Sequence, residues 1–137
     1  MQRLQTRAQF QAVLAGTTVA RTPHFALHRC ALDGGSADAA KAAALFDPRA
    51  VWLGAMVPKR WARRAVTRNA IKRQVYNVSS SFEAALPLAA HVVRLRAGFD
   101  RKEFASASSD RLKAAVRAEL HQLFERCVRE RTKAAAA

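Results

Sequence analysis

Apolar positions near the start of the chain recur with a helical period: Phe10, Val13 and Leu14 fall at i, i+3 and i+4. Thr6-Arg7-Ala8-Gln9 precedes this stripe with the spacing of a capping box, and Gly16 is placed to end the helix in a left-handed conformation. The period then shortens. HFALHRCAL, 24–32, follows Pro23 and reads as a strand with imperfect alternation, and VWLGAMV, 51–57, is a continuous apolar run of strand length ended by Pro58. A 3.6-residue period returns with Ile71, Val75, Val78 and Phe82, predicting a helix that starts near Ala62 and has stopped by Pro87. HVVRLRA, 91–97, alternates Val93, Leu95 and Ala97 with Arg94 and Arg96, which predicts a strand with one core face and one wet, basic face. After a connection over 98–109, Leu112, Val116, Leu120, Leu123, Phe124, Cys127 and Val128 mark a long amphipathic helix, with Asp110 in its first turn. RERTKAAAA is expected to fray into a tail.

These elements make one domain, residues 1–131, carrying an Ala-rich insertion at 33–48 of no assigned function and a flexible tail at 132–137. A chain of 137 residues buries roughly two-thirds of its unfolded surface, so disulfides are not needed. Half of the residues are hydrophobic, but Ala supplies much of that share, and no run reaches the roughly 18 apolar residues of a membrane span. MQRLQTRAQF lacks the apolar core of a secretory signal, so a cytoplasmic location is expected, with Cys30 and Cys127 as reduced, buried and inert thiols. His24, His28, His91 and His121 stand singly and match no metal-ligand spacing, so no metal site is assigned to the chain itself.

Charge changes the picture most. The formal net charge is +14, and Lys59–Arg73, KRWARRAVTRNAIKR, places seven Lys or Arg in fifteen residues. No Asp or Glu occurs from Pro48 to Phe82, so an external polyanion is the natural counter-charge. Arg64, Arg68 and Lys72 recur every four residues, as do Asn69 and Arg73, so polar ridges run beside the apolar face of the same helix. Guanidinium forks suit phosphate, whereas an amide reads a base edge or a 2′-hydroxyl. Phe10, Phe25 and His28 come from elements that flank the sheet and are suited to stack on unpaired bases, although core packing is the commoner role for each Phe.

Val57–Arg73, VPKRWARRAVTRNAIKR, resembles the signature of the bacterial ribonuclease P protein subunit, V-x-K-[KR]-x-G-x-A-V-x-R-N-R-x-K-R. Phe10, Val13 and Gly16 are similar to that family's opening F-x-x-V helix and its glycine, and the element order agrees along nearly the whole chain. The resemblance implies an α+β two-layer sandwich with an N-terminal helix, a mixed sheet of about four strands and a C-terminal helix. Its βαβ crossover would be left-handed, in the arrangement named for the second domain of ribosomal protein S5. It also implies a subunit of the endoribonuclease that matures the tRNA 5′ end, with catalysis and Mg²⁺ in a partner RNA and no catalytic residue in this chain. Lys59, Arg60, Arg68, Asn69, Lys72 and Arg73 would bind the catalytic RNA, and Phe10, Phe25 and His28 would line a cleft for the leader of precursor tRNA. The chain departs from the pattern at Ala62 for Gly, at Ala70 for the second Arg of R-N-R, which Arg63 or Arg64 would offset, and at Tyr76-Asn77 for R-E. No membrane and no protein partner are required.

Other readings of the same residues are a ribosomal or RNA-chaperone-type RNA-binding protein, an autonomous nuclease and an interfacial membrane helix. The second fits poorly, because two-metal phosphodiester chemistry wants clustered carboxylates and the ten acids here are dispersed. The third rests only on Ile71, Val75 and Val78 sharing a face with cations beside them.

Overall fold

Helix α1, Arg7–Leu14, forms where the Thr6–Gln9 spacing predicts it. The Gln9 N–H donates to Thr6 Oγ1 at 3.2 Å and the Thr6 N–H to Gln9 Oε1 at 3.1 Å, satisfying two amides that a helix start leaves unpaired. The computed structural model describes residues 1–32, 44–47, 49–99 and 110–136, the last segment with side chains to Arg129. Most of the 33–48 insertion and of the 98–109 connection lies outside them.

Gly16 ends α1 for a different reason from the one its sequence suggests. Ala15 caps the helix in a right-handed conformation (φ −75°, ψ −12°) and Gly16 takes no left-handed backbone. A Cβ at Gly16 would instead fall on the Arg29 carbonyl oxygen and lie 3.1 Å from that of Val13. Both are backbone atoms, so Gly16→Ala is expected to destabilise the fold by about 1–3 kcal/mol, read as a lowered urea midpoint with unchanged m-value.

The sheet has five strands in the order β1-β4-β5-β3-β2, where β1 is Gln2–Arg3, β2 Thr17–Arg21, β3 Phe25–Ala31, β4 Trp52–Met56 and β5 Ala89–Leu95. The resemblance implies about four; the extra one is the two-residue edge strand β1, held parallel to β4 by Gln2 N–H to Val51 O (2.9 Å) and Leu4 N–H to Leu53 O (3.0 Å). Strands β4 and β5 are also parallel, so the chain must cross over between them. Helix α2, Ala65–Phe82, with a 3₁₀ turn at Glu83–Ala85, is that crossover. Helix α3, Asp110–Ala136, closes the fold, and its backbone stays helical through residues assigned above to a tail.

Alternate strand residues divide the core in two. Phe25, Leu27, Leu53, Ala55, Val93 and Leu95 pack with Ile71, Val75 and Val78 of α2 and with Leu112, Val116, Leu120, Leu123 and Phe124 of α3. Val13 of α1 packs on the other face with Cys30, Ala90 and Val92. Strand β5 is therefore central and covered on both faces; of the half-wet strand expected over 91–97, Val93 and Leu95 are buried as expected, Arg94 is only half-exposed, and the exposed Arg96 falls just past the end of the strand. Helix α3 is tied to the β2–β3 turn by Glu119, whose carboxylate accepts from Thr22 Oγ1 and from the His24 N–H, each at 2.7 Å.

Candidate nucleic-acid interface

Strand β4 delivers the chain into a turn in which the N–H groups of Trp61 and Ala62 donate to the Pro58 carbonyl at 3.1 and 3.2 Å. Ala62 is buried in the core, so α2 begins three residues later than the sequence predicts, at Ala65 after the N-cap Arg64. Arg68 reaches back from the first turn, its Nη1 donating to the carbonyls of Ala62 (3.0 Å) and Arg63 (2.7 Å). It thereby braces the loop as well as carrying charge. Lys59, Arg60, Arg63 and Arg64 are exposed, and the Arg60 guanidinium lies over the half-open Trp61 ring at 5.1 Å. Among the described residues no carboxylate pairs with any Lys or Arg of 59–73, and the first turn of α2 contains no acid.

Asn69, Lys72 and Arg73 line a groove together with Tyr76, Asn77 and Arg3. These α2 positions fall at i, i+3, i+4, i+7 and i+8, one helical face, with Ile71, Val75 and Val78 turned inward. Arg3 arrives from β1, and its guanidinium carbon sits 4.0 Å from the Tyr76 ring centroid. No sequence pattern announces Arg3, because a two-residue strand has no period to read. Ala70 is half-buried, and the arginine that the resemblance implies at that position has no counterpart there.

Phe10 and His28 lie on the opposite face of the sheet. Phe10 packs over Gly54, where an added Cβ would meet its ring at 2.7 Å. His28 Nε2 accepts from Arg94 Nε at 3.2 Å, so Nδ1 carries the proton and donates to Thr18 Oγ1 at 3.1 Å. Burial, then the charges of Arg94 and Arg21, hold its pKa below the ordinary value, so His28 is a neutral ring at pH 7. Pairing of Met56 with Arg94, and of Arg94 with Ala26 and Ala26 with Arg21, sets Met56, Arg94 and Arg21 in a row beside His28. Phe25 does not join them. It is wholly buried among residues that face α2 and α3, three positions from His28 on an alternating strand, and is a core residue.

The sequence profile of the family described as Ribonuclease P matches residues 1–128. The chain is 34% identical over 128 residues to the ribonuclease P protein component of Bordetella parapertussis, covering 93% of this chain and 92% of that one. Against the component of Burkholderia pseudomallei it is 37% identical over 78 residues, 57% of each chain. Among solved structures, the Staphylococcus aureus RNase P protein superposes with a TM-score of 0.61 at 19% identity, covering 91% of this chain and 94% of that one. That likeness concerns the fold.

Proposed function

We propose, from the premise that this chain belongs to the ribonuclease P protein family, that it grips the catalytic RNA with one face and guides the leader of precursor tRNA with the other. The RNA-gripping set is Lys59, Arg60, Arg63, Arg64, Arg68, Asn69, Lys72 and Arg73; the leader strip is Phe10, His28 and Arg94. The observation that carries this reading is the unneutralised cationic face of α2, held rigid by a buried apolar stripe on the same helix.

Cleavage is assigned to the RNA. Among the described residues no group of three or more His, Cys, Asp or Glu could hold a metal ion, and the basic face is a poor ligand set for Mg²⁺. On this reading Mg²⁺ belongs with the RNA, and the protein's part is to neutralise phosphates and to orient two RNA molecules. No described helix is long and apolar enough to cross a membrane. The working location is the cytoplasm, where precursor tRNA is the substrate.

The test is cleavage of precursor tRNA by the matching RNA subunit at low Mg²⁺, with and without this protein. Stimulation is expected; its absence would leave the ribosomal or chaperone-type reading. Lys72→Ala and Arg73→Ala are each expected to make the log–log salt dependence of RNA binding shallower by about 0.7–0.9 per lost phosphate contact. Arg68→Ala should cost more than either, because it also frees the loop carbonyls of Ala62 and Arg63.

A further inference from the structure

The groove between β1 and α2 is more than part of a charged surface. It brings three cations, Arg3, Lys72 and Arg73, together with two amides, Asn69 and Asn77, around a single aromatic ring, Tyr76. Among the described residues, the side chains of Asn69, Lys72, Arg73 and Asn77 make no hydrogen bond or ion pair, so the polar heads are unengaged. Arg3 is exposed, and its guanidinium is held against the ring at 4.0 Å. A guanidinium seated on an aromatic face keeps its other face open, and that planar surface stacks on a nucleobase. The neighbouring cations are then placed for flanking phosphates, and the amides for a base edge or a 2′-hydroxyl.

We infer that this groove is a nucleotide subsite, which takes one unpaired nucleotide of the catalytic RNA with its base stacked on the Arg3–Tyr76 pair. This rests on the RNA-gripping reading above and deepens it by one residue pair. The catalytic RNA is the source because Arg3 pairs with Leu53, which faces α2, whereas the Phe10–His28 strip lies across the sheet. A paired base has no exposed face to offer, so the subsite discriminates single-stranded from duplex RNA. Where the signature usually carries Arg-Glu, this chain has Tyr76-Asn77, which removes a carboxylate and adds the ring that seats Arg3.

The chain contains one tyrosine, so 3-fluorotyrosine gives a single ¹⁹F resonance at the site. Decauridylate is expected to shift it, and a blunt RNA duplex of equal phosphate count is not. Arg3→Lys keeps the charge but loses the plane, and should weaken decauridylate binding about tenfold and duplex binding less than twofold. Tyr76→Ala should match Arg3→Lys, and Tyr76→Phe should bind as the unsubstituted chain does. An unmoved resonance, equal shifts with duplex and single strand, or an Arg3→Lys variant that binds normally would each overturn the subsite. The matching catalytic RNA alone should move the resonance; movement only with precursor tRNA would overturn the assignment to the catalytic RNA. Stimulated cleavage with an unmoved resonance refutes the subsite alone, whereas a shifted resonance without stimulation refutes only the ribonuclease P reading.

Discussion

Phe25→Ala is expected to lower the free energy of unfolding by about 3–5 kcal/mol, the largest effect of any single substitution considered for this chain. The ring has no exposed surface and packs within the cluster shared by β3, β5, α2 and α3, with the Phe99 ring at 6.1 Å and tilted by 55°. Removing it leaves a cavity where α3 meets the sheet. Urea unfolding followed by circular dichroism measures the loss, and crosslinking of the leader to the folded fraction should be unaltered. A Phe25→Ala variant with the ordinary midpoint but reduced leader crosslinking would put this residue back in the cleft. Phe10→Ala should show the converse balance, because Phe10 is only half-buried and faces the other side of the sheet.

Acid is expected to destabilise the protein well above the pH at which carboxylates titrate, and His91 is the main reason. This ring is fully buried between strands and helices. Its Nε2 accepts from Arg29 Nε at 3.1 Å, so Nδ1 carries the proton, directed at the Trp52 carbonyl at 3.1 Å. Protonating Nε2 would set one N–H against another, beside the Arg29 charge. Burial first, and Arg29 second, lower the pKa from 6.5 to about 4. The folded-state value is the depressed one, so between about pH 6.5 and 4 the unfolded chain binds a proton that the folded chain refuses. Stability is therefore fully present above pH 6.5 and declines as pH falls toward 4, with about 2 kcal/mol lost between pH 7 and pH 5. His28 is shifted in the same direction and adds to the decline. Urea titrations at the two pH values measure it. The slope should flatten in His91→Gln, and an equal slope in that variant would clear His91.

The same alternation that made β3 legible also contained the correction to its site residues. HFALHRCAL reads as a strand, and residues three apart on a strand point to opposite faces, so Phe25 and His28 were never placed to line one cleft. The aromatic content of the segment drew them together, whereas its parity separates them. The basic helix was readable because its apolar and cationic positions share one 3.6-residue period. Its start was not, because Ala62 favours helix locally and is drawn into the core by packing that no local pattern records. TTVAR, with three β-branched residues, carried enough signal for β2, yet it is overshadowed by the helix that precedes it. Strand β1 carries none: Gln2 and Arg3 are exposed, and only pairing with β4 makes them a strand.

The order β1-β4-β5-β3-β2 gives the sheet a centre that is synthesised after all of its neighbours. Phe25 waits for Leu95, and Trp52 for Ala90, before β3 or β4 is paired on its second edge. On the ribosome, only the β2–β3 hairpin and the short helix before it are local enough to form early. The nascent chain must then carry α2 in the open, with its apolar stripe and its cations exposed together, until β5 emerges. Closing such distant pairs costs chain entropy before any pairing offsets it, which slows folding relative to a protein built from near neighbours. The RNA-facing surface thus comes into being late and all at once, as a by-product of the last strand taking the middle place.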